Sequence, residues 1–236
     1  MAGMKEYIYK LEAWAGSAKV TRPLQVVTSE QAKSVLAGAR PGYQASMADN
    51  FAIEKIMSFR TAHTQVTGNE GPSGVYNTAA ISVVEGLNIL DMVTADVVTS
   101  RLTGEYHAAD FDHYVQPVVS PLGSSFVNLR IGGHPFEPKL PKEFTYYPDQ
   151  CQPFAALRKL RLEKADDAHT PAFPGVTLHI PGFGTITFAA LGVEPDHETG
   201  EGFVQYTLTM VQCELGSPVQ ADAAYGRGRV GGGGTH

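Results

Sequence analysis

Charge is what this chain has least of. Only 18% of its 236 residues are Asp, Glu, Lys or Arg, against ~25% in an average soluble domain. Much of the surface must therefore come from Thr, Ser, Gly and Gln, which weakens the repulsion that keeps proteins apart. The net charge of −6 sets aside nucleic acid and anionic membrane surfaces as general partners. The one basic run, Arg158-Lys159-Leu160-Arg161-Leu162-Glu163-Lys164, is short and broken. Cysteine is scarce as well. Cys151 and Cys213 lie far apart with no Cys-x-x-Cys spacing, which excludes a zinc ribbon or a thioredoxin-type motif. Two reduced, half-buried thiols are expected, and whether they pair is left open by spacing. No window approaches ~18 apolar residues, so no membrane-spanning helix is expected. The opening Met1-Ala2-Gly3-Met4-Lys5-Glu6-Tyr7-Ile8-Tyr9-Lys10 has no apolar core of a secretory signal, and on that ground a cytoplasmic location or a non-standard export route is expected.

Catalytic signatures are also missing. There is no Gly-x-Ser-x-Gly elbow and no His-Glu-x-x-His pair. Gly182-Phe183-Gly184 and Gly132-Gly133 lack the Lys-Ser/Thr or the strand-to-helix setting that a phosphate loop needs, so they read as turns. No catalytic, cofactor-binding or metal-binding residue is assigned, no cofactor is expected, and the chain reads as a non-enzyme.

What is present is β-sheet. Ala79 to Gly104 is long, apolar and β-branched, with no proline and few charges, and it reads as strands broken at Glu85-Gly86 and at Leu90-Asp91. Glu6 to Val27 reads as one or two strands, and Phe51 to Val66 alternates as a strand with a bulge. Ser124 to Phe136 reads as strand, glycine turn and strand start, Pro174 to Phe188 as a hairpin, and Phe203 to Leu215 as the last strong strand. Thr28 to Gly38 is the best helix candidate, with Thr28 or Ser29 as cap and Gly38 as stop. A short helix or strand is also read near Leu157–Lys164. Arg60-Thr61-Ala62 and Val93-Thr94-Ala95, each followed by Thr-Gly near an acid, suggest a weak repeat. The expected architecture is one all-β domain over 1–215, a sandwich or jelly roll with one or two short helices. Residues 216–236 are Gly-rich and read as a flexible tail that reaches a neighbour and orders on contact.

Three features invite a site. His107-Ala108-Ala109-Asp110-Phe111-Asp112-His113 gathers two imidazoles and two carboxylates. It reads as an exposed polar loop, with a cation held by His107, Asp112 and His113 as the alternative. Asp96 stands inside an apolar strand, either facing water by alternation or bonding a neighbouring strand. Trp14, the single tryptophan, together with the tyrosines, suits a core or interface anchor, with a carbohydrate platform as the alternative.

Four segments carry a resemblance. Gly86-Leu87-Asn88-Ile89-Leu90 followed by Val93-Thr94-Ala95-Asp96-Val97-Val98-Thr99-Ser100 resembles the apolar strand, turn and "(I/V)TADxVxS" of the choice-of-anchor P bacterial surface proteins. Ser124 to Pro135 is similar to that family's "SxFxxLxIxGxP" step, Ile180 to Thr187 to its "(L/I)PGxGTxT" step, and Phe203 to Met210 to its closing strand. The resemblance covers roughly residues 45–215. It implies a non-enzymatic, all-β, extracellular or cell-surface domain. With the low charge and the Thr/Val-rich strands, the expectation is a structural protein that self-assembles into a homo-oligomer through its β-domain and tail. A carbohydrate or surface-polymer binding module is the first alternative, and a metal-binding protein using the His107–His113 loop is the second.

Overall fold

The computed structural model describes residues 6–107, 117–145, 170–195 and 204–234. These form sixteen strands in two antiparallel eight-stranded sheets packed face to face, the all-β sandwich expected. Sheet A runs β12 (Thr170–Phe173), β14 (Gly184–Pro195), β15 (Val204–Leu215), β16 (Gln220–Gly234), β1 (Tyr7–Arg22) and β2 (Val26–Val27), with β13 (Val176–Ile180) on β14 and β3 (Ser34–Gly38) on β1. Sheet B runs β11 (His134–Pro135), β10 (Arg130–Ile131), β7 (Val93–His107), β6 (Val75–Ile89), β5 (Met57–Gly71) and β4 (Gly42–Ile53), with β8 (Val118–Ser120) and β9 (Ser125–Val127) also on β7. The core between them is apolar at both ends. Tyr7 stacks on Tyr76 with centroids 4.4 Å apart, while Phe126 and Phe136 meet Phe188 at 5.7 and 5.5 Å.

Two expectations are corrected. The C-terminal Gly-rich segment is no free tail: β16 is an interior strand of sheet A, paired with β15 on one side and with β1 on the other. Glycine reads as linker because it weakens strands in general, but here absent side chains are what the packing requires. A Cβ on Gly232 would collide with the Tyr7 hydroxyl, and one on Gly231 would lie 2.8 Å from Gln205. The same device recurs where Tyr225 covers Gly16 and where Tyr9 of sheet A covers Gly68 of sheet B, each leaving a Cβ only 2.5–2.6 Å from a ring carbon.

The second correction concerns Thr28 to Gly38, which is extended rather than helical. Thr28 and Gln31 bond the free edge of β1 (Thr28 N–H to Ala18 O, 2.9 Å; Gln31 N–H to Gly16 O, 2.8 Å), and β3 continues that pairing. The side chains obey a period of two: Ala32 and Ser34 are buried and Leu36 half-buried, with Lys33, Val35 and Ala37 exposed between them. A ladder that satisfies an edge prevails over helix propensity in so short a segment. Among the described residues the helical turns are 3-10, at Pro72–Gly74 and Lys142–Phe144. The strand read over Phe51 to Val66 is two strands, turning at Glu54–Ile56, and the segment near Leu157–Lys164 lies outside the described residues.

Each sheet is crossed by one transverse line at which inside and outside exchange. In β5 the inward residues are Met57 and Phe59, then Ala62, Thr64 and Val66; in β6 they are Ala80, Ser82 and Val84, then Leu87 and Ile89. One residue is inserted at the same ladder level in each long strand that the line crosses, so the registers stay continuous while the faces swap. Asn50, Arg60, Gly86, Asp96 and Asn128 form this row in sheet B. Ala189, Met210, Gly226, Ala15 and Ala32 form it in sheet A. Left-handed backbone falls on alternate members: Asn50, Gly86 and Asn128 (φ 54°, 66° and 50°), and Ala189, Gly226 and Ala32 (φ 57°, 62° and 47°).

In sheet B the row is built by a recurring unit. Asn50-Phe51-Ala52-Ile53-Glu54, Gly86-Leu87-Asn88-Ile89-Leu90 and Asn128-Leu129-Arg130-Ile131-Gly132 each begin and end on a left-handed residue. Their turns are stitched together: Leu90 N–H donates to Ile56 O (2.9 Å) and Gly132 N–H to Met92 O (2.7 Å).

Candidate functional site

The inversion line decides which side chains face outward, and the two sheets use it differently. In sheet B the outward groups beside the line satisfy one another. Arg60 pairs with Glu85 at 3.0 Å. Asn128 Nδ2 donates to Asp96 Oδ2 at 2.6 Å, so Asp96 faces water and ties β7 to the residue after β9. Both pairs are exposed, and such pairs contribute little, ~0–1 kcal/mol.

In sheet A the line puts Trp14 of β1 on the outer face opposite Arg227 of β16, with Thr209 of β15 next in the row. The Arg227 guanidinium lies 4.8 Å from the Trp14 ring centroid, Arg229 is at 5.8 Å and Lys33 at 6.0 Å. Trp14 is thereby almost fully covered, 4% exposed, and presents no free ring face for a sugar to stack on. Arg229 donates to Glu12 (3.4 Å) and Lys33 pairs with Glu30 (3.5 Å). Glu12, Glu30 and Glu194 all act electrostatically on Arg227, yet among the described residues none forms an ion pair with it. Burial, then the neighbouring Arg229 charge, lowers the Arg227 pKa from its ordinary value. Two donors in this cluster, Trp14 Nε1 and Arg227 Nε, are buried without a hydrogen-bond partner among the described residues, a situation that costs ~1–3 kcal/mol per group.

Arg227 also lines a trough of about 420 Å³ on the outer face of sheet A, with Ser17, Thr28, Thr209 and Gln212 around it and Lys19, Glu214 and Asp222 beyond. Sheet B carries its own trough of about 520 Å³, whose lining includes Thr67, Asn69, Asn77, Thr103 and Glu105.

The edges differ as much as the faces. Sheet A ends on β12, which contains Pro171, and on the five-residue β13 on one side, and on β2 and β3, of two and five residues, on the other. One side of sheet B ends on strands of two or three residues. The other ends on β4, twelve residues long, without proline, lysine or arginine and with the single charge of Asp49. Its ladder is to β5 alone. β3 approaches it from the opposite sheet without pairing. Tyr43 and Met47 project from it at 58% and 66% exposure.

The other flagged residues are placed as follows. His107 ends β7 and its Nε2 lies 2.8 Å from Glu105 Oε1; Asp112 and His113 lie outside the described residues, as does Cys151. Cys213 is a buried free thiol, pushed up to about 12 chiefly by desolvation, which makes it a poor nucleophile. No His/Cys/Asp/Glu cluster able to hold a metal occurs among the described residues. Among those residues no helix is long and apolar enough to cross a membrane.

Arg227, Arg229 and the β4 edge were not singled out from sequence. A tail cannot be assigned a face until its register is known, and nothing local marks a strand as terminal in its sheet. The twelve-residue alternation without proline or basic residues was the one usable signal for β4.

No curated protein and no solved structure matches the chain. A family does: residues 7–170 match the domain of unknown function DUF8256. The match takes in all of sheet B but only β1, β2 and β3 of sheet A in full; β13 to β16, which complete the sandwich, lie beyond it. With most of its length matched, the chain belongs to the DUF8256 family.

Proposed function

We propose that this is a non-enzymatic structural protein that self-assembles by pairing the β4 edge of sheet B with the same edge of a second copy. The observation that carries this reading is the contrast among the four sheet edges. Three are blunted by short strands or proline, as soluble proteins blunt edges they do not use. β4 is long, nearly uncharged and carries exposed Tyr43 and Met47. Edge-to-edge pairing of two copies makes a continuous sheet, in which main-chain hydrogen bonds give affinity and alternate side chains give register. Such an interface is isologous and closes as a two-fold dimer. An antiparallel register centred on Met47 sets Ala45 against Asp49 of the second copy and keeps the two Asp49 carboxylates apart. The low overall charge supports close approach, and the resemblance to choice-of-anchor P surface proteins fits a surface role.

The test is the native mass of the full chain beside Met47→Lys, which places a charge on the edge without touching the core. The expected result is a dimer or larger species for the parent chain and a folded monomer for the variant. A parent chain that stays monomeric across concentration and salt contradicts the reading.

A further inference from the structure

We propose that the trough beside Arg227 on the outer face of sheet A binds the carboxylate of a uronic-acid sugar. This is independent of the β4 edge, which lies on the other sheet. Four observations converge. Arg227 is a cation without an ion-pair partner among the described residues, while its neighbours Arg229 and Lys33 are matched by Glu12 and Glu30. Its Nε and the adjacent Trp14 Nε1 are buried donors without acceptors among the described residues. The guanidinium is held against the indole ring at 4.8 Å, so its plane is fixed before any ligand arrives, which reduces the ordering that binding must impose. It opens onto a trough of about 420 Å³, within the usual range for small-molecule sites.

The lining selects among anions. A guanidinium fork matches the two oxygens of a carboxylate. Ser17, Thr209 and Gln212 offer hydroxyl and amide groups suited to sugar hydroxyls, while the Thr28 hydroxyl is engaged with the Ala18 N–H and carbonyl. Glu214 and Asp222 at the far side disfavour a ligand with more than one negative charge, so a phosphate monoester fits less well than a singly charged uronate. In the bound state the carboxylate supplies the counter-charge that Arg227 lacks, and the hydroxyls replace water beside Thr209. Trp14 remains beneath the guanidinium and is not a stacking platform.

Trp14 is the chain's single tryptophan, so its emission reports this site alone. The experiment titrates the full-length chain with galacturonate and glucuronate, with glucose and acetate as controls, following Trp14 emission. A saturable change with a uronate, at least tenfold weaker with acetate and absent with glucose, is the expected result. Arg227→Met and Arg227→Lys should both abolish saturation, the lysine keeping the charge but not the fork, with far-UV circular dichroism confirming that each is folded. Because the parent titration needs no variant, a misfolded substitution leaves the test intact. No response to either uronate overturns the proposal. A response to glucose equal to that of galacturonate overturns the role of Arg227, and acetate matching galacturonate overturns the sugar assignment.

Discussion

The two sheets share one construction and finish it differently. Both are crossed by a five-member row in which alternate residues are left-handed and the long strands exchange their faces. Beside that row sheet B closes its outward polar groups on one another, Arg60 on Glu85 and Asp96 on Asn128. Sheet A leaves Arg227 Nε and the Trp14 indole N–H without a hydrogen-bond partner among the described residues. At their edges the relation reverses: sheet A is blunted on both sides, and sheet B leaves β4 open. An edge left open where the others are blunted, and a cation left without an ion-pair partner among the described residues beside a trough, mark where something else is expected to bind.

The largest break in this comparison is removal of β16. Ending the chain at Gly216 takes away an interior strand and leaves β1 and β15 without their shared partner. Loss of cooperative unfolding and of near-UV dichroism is expected. A truncated chain that keeps both would mean that sheet A stands without β16.

The rows can be separated by Gly226→Ala and Gly86→Ala. Each forces a side chain into left-handed backbone, which costs ~1–2 kcal/mol. Gly86 is half-buried on the outer side of sheet B, where a Cβ would lie 3.1 Å from Arg60 Cβ next to solvent. A Cβ at Gly226 meets Met210 and Val98 at 3.2–3.3 Å inside the core, so Gly226→Ala should lower the urea midpoint more than Gly86→Ala. Equal shifts would show that the row is no tighter in sheet A than in sheet B.

Alkali should act mainly through sheet A. Burial raises Cys213 from 9.0 to about 12 and also raises Tyr225 and Tyr7 above their ordinary 10.0. Between pH 9 and 12 the unfolded chain loses these protons and the folded one keeps them. Stability is therefore complete below pH 9 and falls as pH rises, by about 1.4 kcal/mol per pH unit for each group titrating only in the unfolded chain. Urea midpoints measured at pH 8, 9.5 and 11 check the slope, and a flat profile would contradict the burial of these groups.

The smallest effect is chemical. In a Cys151→Ser background, Cys213 should resist thiol reagents until the protein is unfolded. Labelling at the rate of a free thiol in native buffer would place Cys213 at an open surface.

Much of the sandwich was legible in sequence because its strands obey the period of two on either side of each inversion: β15, and the β13–β14 hairpin at Pro181-Gly182-Phe183, fall where alternation and glycine put them. Gly86 was legible as a break but not as an inversion, since a flip of faces shows only when several strands flip at one level. The repeat suspected from the Thr-Ala pairs sets Thr61 against Thr94, whereas the ladder sets Arg60 level with Asp96. The recurring Asn/Gly-Phe/Leu-x-Ile unit at 50–53, 86–89 and 128–131 was the usable signal. β16 was illegible because its glycines are explained by residues distant in the chain: Tyr7 at Gly232, Ala80 and Ser100 at Gly228, Val98 and Met210 at Gly226 and Gln205 at Gly231. Thr28–Gly38 was misread because a cap and a stop are local, whereas the free edge of β1 is not. At the sheet A cluster, Trp14 was visible as the lone tryptophan, and Arg227 became visible only through the pairing of β16.

The measurement that bears most directly on the open edge is amide hydrogen exchange along Gly42–Ile53 at several protein concentrations. Self-pairing predicts that alternate β4 amides gain protection as concentration rises, lose it on dilution, and stay unprotected throughout in Met47→Lys, while β14 and β15 do not change. Exchange in β4 that is independent of concentration and identical in the variant would contradict assembly through this edge.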